Sequence, residues 1–133
     1  MTRIIGNTLR QLARTHYLDN KIFHNPRCTK SRQTLSLLEE RGIEVPVVEY
    51  LTTPPSESEL TEICKLLGVH PTGILRSKEP LFKDLGLSLT DKRSAEEWIS
   101  IMSKHPKLIE LPIVIIDGKA AVGRPPENIL SII

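Results

Sequence analysis

The run Ile113–Ile116 is apolar throughout and largely β-branched, and Asp117-Gly118 follows it directly. Four such residues in succession are typical of a strand that is buried on both faces of a sheet. Asp-Gly after an apolar run favours a two-residue hairpin turn, so Lys119–Gly123 is predicted to pair back antiparallel. The chain must therefore contain a sheet whose inner strand is covered on both sides.

Strand and helix patterns alternate in the first half of the chain. Lys21–His24 is predicted to be a short strand, Ser31–Arg41 a helix closed by Gly42, and Val45–Leu51 a second strand rich in β-branched and aromatic residues. Strand, helix and strand at this spacing predict a βαβ unit with parallel strands and a right-handed crossover.

Two further helices carry a capping-box pattern, in which a Ser is followed three residues later by a Glu. These helices are Ser56–Leu67 and Ser94–Lys104. Cys64 lies on the apolar face of the first and Trp98 on that of the second, so both side chains are predicted to be in the core.

The remaining segments complete the order of elements. Residues 69–92 are interrupted by proline and glycine and are predicted to hold short helical pieces. Pro125 suits the first position of a closing helix that Glu127–Ile133 complete. The order β-α-β, a helical block, then β-β-α predicts an α/β protein with a thioredoxin-like fold and an inserted helical subdomain.

Bulk composition excludes several classes of protein. The chain has 133 residues, 39% of them hydrophobic, and a net charge of +2, which is too small to favour a nucleic-acid or membrane partner. Its two cysteines cannot build a disulfide scaffold, and they lack the Cys/His spacing of a metal site. No secretory signal or membrane-length apolar run is visible, so we expect a cytoplasmic protein.

Residues 1–19 are predicted to be an N-terminal extension of a single domain that spans residues 20–133. The extension carries Arg3, Arg10 and Arg14 and no acidic residue before Asp19. A short amphipathic helix, an organelle presequence, a simple extension or an upstream start codon all fit this pattern, although a presequence is usually rich in serine, which is absent here.

The most reactive stretch is His24–Arg32, which joins the first strand to the first helix. It places Cys28 at or just before the first helical turn, where backbone N–H groups lack partners and the helix dipole is positive. Both effects favour an anion, and the thiolate is the nucleophilic form of cysteine. Arg27 and Lys30 add positive charge close by.

The pattern His-Asn-Pro-x-Cys-x-x-Ser-Arg in this stretch resembles the active-site signature of the glutathione/glutaredoxin-linked arsenate reductases, the ArsC family. The resemblance extends from Ile22 to Ile133 and includes Leu75-Arg76, Pro112–Val114 and Gly123–Glu127. It implies a thioredoxin-like fold in which the Leu111-Pro112 bond is cis and faces the cysteine.

The resemblance also implies a chemistry. Cys28 would attack the arsenic of arsenate, glutathione would attack the adduct, and glutaredoxin would complete the reduction to arsenite. The reductants would come from outside, with no bound cofactor and no metal, and we expect a monomer. Arg76 and Arg124 match two of the family's three substrate-binding arginines.

Three residues of the signature have expected supporting roles. His24 either orients the thiol or simply ends the first strand, and these alternatives stay open. Ser31 can donate a hydrogen bond to the sulfur, and Arg32 adds positive charge beside the substrate.

One position departs from the family pattern. The family's middle arginine precedes the Pro-Ile-Val, and here that residue is Leu111. Loss of one cationic fork should weaken oxyanion binding and puts arsenate turnover in question, because planar, charged arginine suits such anions best. Arg27, Lys30 or Lys107 are the available substitutes.

Two alternative functions remain. One is a glutathione-linked thiol oxidoreductase that acts on protein mixed disulfides, which needs one thiol and no three-arginine cage. The other is a non-catalytic regulator of the Spx type, which binds RNA polymerase through this fold. Ser31 argues against the second alternative, because those regulators carry a Cys-x-x-Cys switch.

Overall fold

The computed structural model describes residues 18–133, so the predictions for the N-terminal extension before Leu18 lie outside it. A mixed four-stranded sheet forms the centre of the fold, with the strand order β2-β1-β3-β4. The strands are β1 Lys21–His24, β2 Val47–Glu49, β3 Ile113–Ile116 and β4 Lys119–Val122.

The strand pairing confirms the predicted topology. β1 runs parallel to β2, while β3 runs antiparallel to both β1 and β4. Phe23 on β1 is paired with Val48 on one side and Ile113 on the other. All four residues of β3 are buried, as expected for an apolar inner strand.

Helices cover both faces of the sheet. The α-helices are α1 Thr29–Glu40, α2 Glu57–Leu67, α3 Pro80–Asp84 and α4 Ala95–Lys104, and the short 3-10 helices are Pro71–Ile74, Pro106–Leu108 and Pro126–Ile132. The predicted order of β-α-β, helical block and β-β-α is therefore confirmed.

Some boundaries differ from the prediction. α1 begins at Thr29 rather than Ser31, because its first turn is polar and gives no apolar signal. The closing helix is a 3-10 helix, and Pro126 rather than Pro125 occupies its first position. Pro125 is extended, with φ −69° and ψ 163°, because a residue that precedes proline is disfavoured in the α region.

Two cores lie on opposite faces of the sheet, since alternate residues of β3 point to opposite sides. Ile113 and Ile115 pack with the helical subdomain, including Cys64 and Trp98, which are 6% and 2% exposed as predicted. The other core combines strand residues with α1 and the closing 3-10 helix, its members being Ile22, Leu38, Val114, Ile116, Ala121 and Ile129.

Within residues 18–133, the helices are all too short or too polar to cross a membrane.

Candidate active site

Cys28 occupies the N-cap of α1, at the turn that follows β1. Its backbone is extended, with φ −94° and ψ 123°, and its carbonyl accepts the N–H of Arg32 at 3.0 Å. Its side chain is half-buried and makes no capping hydrogen bond with any described residue. The sulfur therefore lies at an open helix N-terminus, as the sequence predicted.

Arg124, just beyond the end of β4, is the side chain that reaches the sulfur. Its Nη2 donates to Cys28 Sγ at 3.4 Å. Its Nε donates to the Leu111 carbonyl at 2.5 Å and lies 2.7 Å from Glu110 Oε1. One guanidinium thus connects the thiol, a backbone carbonyl and a carboxylate.

A close approach of three segments positions Arg124. Gly123 donates its N–H to the Pro112 carbonyl at 2.9 Å. A Cβ at Gly123 would overlap Thr34 Oγ1 of α1 and lie 2.8 Å from Pro112 Cγ, so this site accepts only glycine without a shift. The Leu111-Pro112 bond is cis, as the resemblance implied.

His24 and Ser31 form a buried pair behind the loop. His24 Nδ1 lies 2.5 Å from Ser31 Oγ, and that oxygen also accepts the Asn25 N–H at 3.0 Å. Burial lowers the pKa of His24 below its usual 6.5, which favours the neutral ring. In the neutral ring Nδ1 either accepts the Ser31 hydroxyl proton or donates its own to Oγ, so the pair is hydrogen-bonded in both tautomers.

The structure thus places Ser31 differently from the sequence expectation. Its hydroxyl was expected to donate to the sulfur, but it is fully buried and bonded to His24 and Asn25. The pair holds the end of β1 against the first turn of α1. Ser31 and His24 therefore support the loop that carries Cys28.

Arg32 also braces this loop. Its Nη1 donates to the Pro26 carbonyl at 2.9 Å and its Nη2 to Thr29 Oγ1 at 3.3 Å. Arg32 was expected to add positive charge beside the substrate, and in the structure its exposed guanidinium is bonded to the loop that carries Cys28.

Arg76 lies in a neighbouring pocket of about 380 Å³. Its Nη2 is 3.7 Å from Glu79 Oε2, and its side chain is 38% exposed. Glu110, the carboxylate that contacts Arg124, also lines this pocket. Glu110 therefore contacts Arg124 and lines the same pocket as Arg76.

Leu111 is a core residue. Its side chain is 3% exposed and belongs to the core under the helical subdomain, while its carbonyl accepts from Arg124. At the position of the family's third arginine, this chain therefore has a leucine that packs in the core.

Comparison with known proteins agrees with this geometry. The family model described as "ArsC family" matches residues 23–132. This chain belongs to the ArsC family. An arsenate reductase of Neisseria meningitidis serogroup A is 52% identical over 114 residues, which cover 85% of this chain and 97% of the relative.

Other ArsC relatives extend the comparison. The protein YfgD of Escherichia coli, whose function is uncharacterised, is 48% identical over 85% of this chain and 95% of its own length. The solved structure of an arsenate reductase from Vibrio cholerae superposes with a TM-score of 0.80 and 46% identity, covering 86% of this chain and 97% of the other. This likeness confirms the predicted thioredoxin-like fold.

Two residues near the candidate site were not singled out from the sequence. Tyr50 is 2% exposed, and burial raises the pKa of its phenol, an effect that the charge of Arg76 partly offsets. Its place just after β2 was a usable signal, because sites collect at the carboxyl ends of parallel strands. The sequence signal for Glu110 was weaker: it is an acidic residue directly before Leu111, the position that departs from the family pattern.

The arrangement can bind and attack an electrophilic anion. The Cys28 thiol, a charged donor of Arg124 and the backbone N–H groups at the open end of α1 lie together here. Among residues 18–133 there is no group of His, Cys, Asp or Glu that could hold a metal ion.

Proposed function

We propose that this protein is an arsenate reductase in which Cys28 is the nucleophile and glutathione and glutaredoxin are the reductants. The observation that carries the proposal is the 3.4 Å contact between Arg124 Nη2 and Cys28 Sγ at the open start of α1. The names of the Neisseria and Vibrio relatives support the substrate.

The proposed reaction begins with attack of the Cys28 thiolate on arsenic(V). A sulfur–arsenic bond forms and one arsenate oxygen leaves, protonated, as water. Arg124 and the N–H groups of α1 bind the remaining oxygens and stabilise their negative charge. Arg76 contributes positive charge from the neighbouring pocket.

Two thiols then supply the two electrons. Glutathione displaces a second oxygen as water and forms its own sulfur–arsenic bond. A glutaredoxin thiolate attacks the glutathione sulfur and forms a disulfide with it, while the electron pair of the broken glutathione sulfur–arsenic bond stays on arsenic, which becomes arsenic(III). Hydrolysis of the remaining bond releases arsenite and restores the Cys28 thiol. These reductants belong to the cytoplasm, where we propose that the protein acts as a monomer.

A glutathione-linked thiol oxidoreductase is the second candidate. Leu111 in the core and Glu110 beside Arg124 favour it, because they leave the site with fewer free cations than a three-arginine cage. Cys28 would attack the glutathione sulfur of a protein–glutathione disulfide, and the protein thiolate would leave. A second glutathione would then release Cys28 as glutathione disulfide forms. This reaction needs no bound oxyanion.

Product analysis distinguishes the two candidates. Wild type and Cys28→Ser are each incubated with arsenate, glutathione, glutaredoxin and NADPH-linked glutathione reductase, and arsenite is measured. The same pair is tested on a glutathionylated protein. Arsenite from wild type alone supports the arsenate reductase, whereas deglutathionylation without arsenite replaces it with the thiol oxidoreductase. Equal activity of both variants in both assays refutes the role of Cys28.

A further inference from the structure

Glu110 is fixed in place beside Arg124. Its backbone N–H donates to the Ile74 carbonyl at 2.8 Å, next to a bridge that pairs Leu75 with Ile109. Its Oε1 lies 2.7 Å from Arg124 Nε, and its side chain is 31% exposed. The backbone hydrogen bond and the ion pair therefore hold the Glu110 carboxylate next to Arg124.

The two edges of the Arg124 guanidinium face different partners. Nε faces Glu110 and the Leu111 carbonyl, while Nη2 faces the Cys28 sulfur. A guanidinium presents its donors in a rigid plane, so holding one edge fixes the direction of the other. The hydrogen bond from Nε to the Leu111 carbonyl and the adjacent charge of Glu110 together hold this edge, and they orient the donor that faces the sulfur.

Glu110 also changes the charge of the site. Arg124 is in contact with Glu110, and Arg76 with Glu79, so each of the two predicted substrate arginines already faces a carboxylate. Where the family has its middle arginine, this chain has the buried Leu111, which carries no charge. An incoming anion is therefore attracted by two arginines and repelled by two acids.

We propose that Glu110 is a positioning and specificity-determining residue, which orients Arg124 and selects electrophiles of low negative charge at Cys28. The substrate class that follows is a singly charged or neutral electrophile, in preference to a doubly charged oxyanion. The inference rests on the proposed anion site at Cys28, but its test needs neither arsenate nor a reductant.

Two alkylating reagents of similar size measure this selectivity. Iodoacetate is an anion and iodoacetamide is neutral, and with each the sulfur forms a bond to carbon while iodide leaves. Any change in the fraction of thiolate affects both rates equally. The ratio of the two rates at Cys28, followed by mass spectrometry of the Cys28 peptide, therefore reports the penalty on negative charge.

Glu110→Gln keeps the shape of the side chain and removes its charge. We expect the iodoacetate-to-iodoacetamide ratio to rise about fivefold, since a partly exposed charge a few ångströms away is reduced but not abolished by solvent. Glu110→Asp retains the charge and should stay within about twofold of wild type. Glu44→Gln, which removes the same charge beyond the far end of α1, should leave the ratio unchanged.

A merely structural role predicts another result. If Glu110 only supports the fold, Glu110→Gln and Glu110→Asp will change both alkylation rates by the same factor, and an unchanged ratio in Glu110→Gln overturns the inference. An arsenate assay that fails while the ratio rises refutes the arsenate reductase but leaves the charge selection by Glu110 standing.

Discussion

The start of α1 differs from the starts of α2 and α4. Ser56 and Ser94 each accept the N–H of the third helical residue, Glu59 or Glu97, whose carboxylate accepts the N–H of the serine in return. Cys28 is the N-cap of α1, which has no acidic residue in its first turn and, within the described residues, receives no side-chain cap.

The difference separates a structural helix end from a functional one. At α2 and α4, side-chain oxygens use the free N–H groups and acids offset the helix dipole, so little remains for a ligand. At α1 these groups remain available, and Arg124 adds positive charge in front of them. The stability that a cap would provide, about 0.5–2 kcal/mol, is forgone where an anion is proposed to bind.

Cys28→Ser is the strongest test of this contrast, because it installs at α1 the residue that caps α2 and α4. We expect the reaction at position 28 to fall about 10³-fold or more, since a serine hydroxyl cannot replace the thiolate. We also expect the free energy of unfolding to rise by about 0.5–1 kcal/mol, because serine is a favoured N-cap. Arsenite formation and urea unfolding measure the two effects.

Cys64→Ala is the matched control for the other cysteine. Cys64 is 6% exposed and lies in the core, where burial raises the pKa of its thiol. This variant should lose about 1–2 kcal/mol of stability through the cavity that it leaves, while Cys28 reacts normally. A loss of stability in Cys28→Ser, or a loss of Cys28 reactivity in Cys64→Ala, would contradict the assigned roles.

The sequence allowed prediction of features that depend on local chemistry. The capping boxes at Ser56 and Ser94, the apolar run of β3 and the position of Cys28 before α1 follow from residues within a few positions of one another. The hairpin after β3 is of the same kind. The family resemblance added Arg124, which no local pattern connects to Cys28.

What the sequence did not reveal depends on contacts between distant segments. Ser31 turned inward to His24 because the end of β1 lies against α1. Glu110 forms an ion pair with Arg124 because the segment before β3 lies next to the segment after β4. Leu111 entered the core since its side chain faces the helical subdomain. Contacts of this kind join residues that are far apart in the sequence, so they become visible only in the three-dimensional structure.

Arg124→Lys tests the cation in front of α1. A lysine has one charged group and cannot meet the Leu111 carbonyl, Glu110 and the sulfur together, so the rate of anion attack at Cys28 should fall about 10²-fold. Arg41→Lys, at the other end of α1, is the control and should keep wild-type rates. Steady-state arsenite formation measures the effect, and equal losses in both variants would count against the contact with the sulfur.

Acid titration should separate the buried His24, behind the Cys28 loop, from the capping box of α4. The pKa of His24 is held below 6.5 by burial, so the unfolded chain binds its proton first and stability falls as pH drops below 6.5. The pKa of Glu97 is held below 4.5, chiefly by its bond from the Ser94 N–H, so its contribution is full above 4.5 and is lost as pH falls below that value.

Urea unfolding at a series of pH values between 7.5 and 3 measures both windows. His24→Asn should flatten the upper window alone, and Glu97→Gln the lower window alone. A His24→Asn variant that still loses stability between pH 6.5 and 5 as wild type does would exclude the buried His24 as its source.

Lys30→Glu is the subtlest test, because it gives α1 the first-turn acid that α2 and α4 possess. Lys30 is an exposed residue of the first turn, so the change should disturb no core contact. An acid there should add about 0.3–1 kcal/mol of stability through the helix dipole, and it should lower the iodoacetate-to-iodoacetamide ratio at Cys28 about threefold. Lys30→Gln, which removes the lysine charge without adding an acid, should give an intermediate ratio.

Raising the salt concentration should shrink the difference between the Lys30→Glu and Lys30→Gln variants, since exposed charges are screened within about 10 Å at 0.1 M. A ratio that stays at the wild-type value in low salt would mean that the open end of α1 attracts no anion, and that Arg124 alone accounts for the positive character of the site.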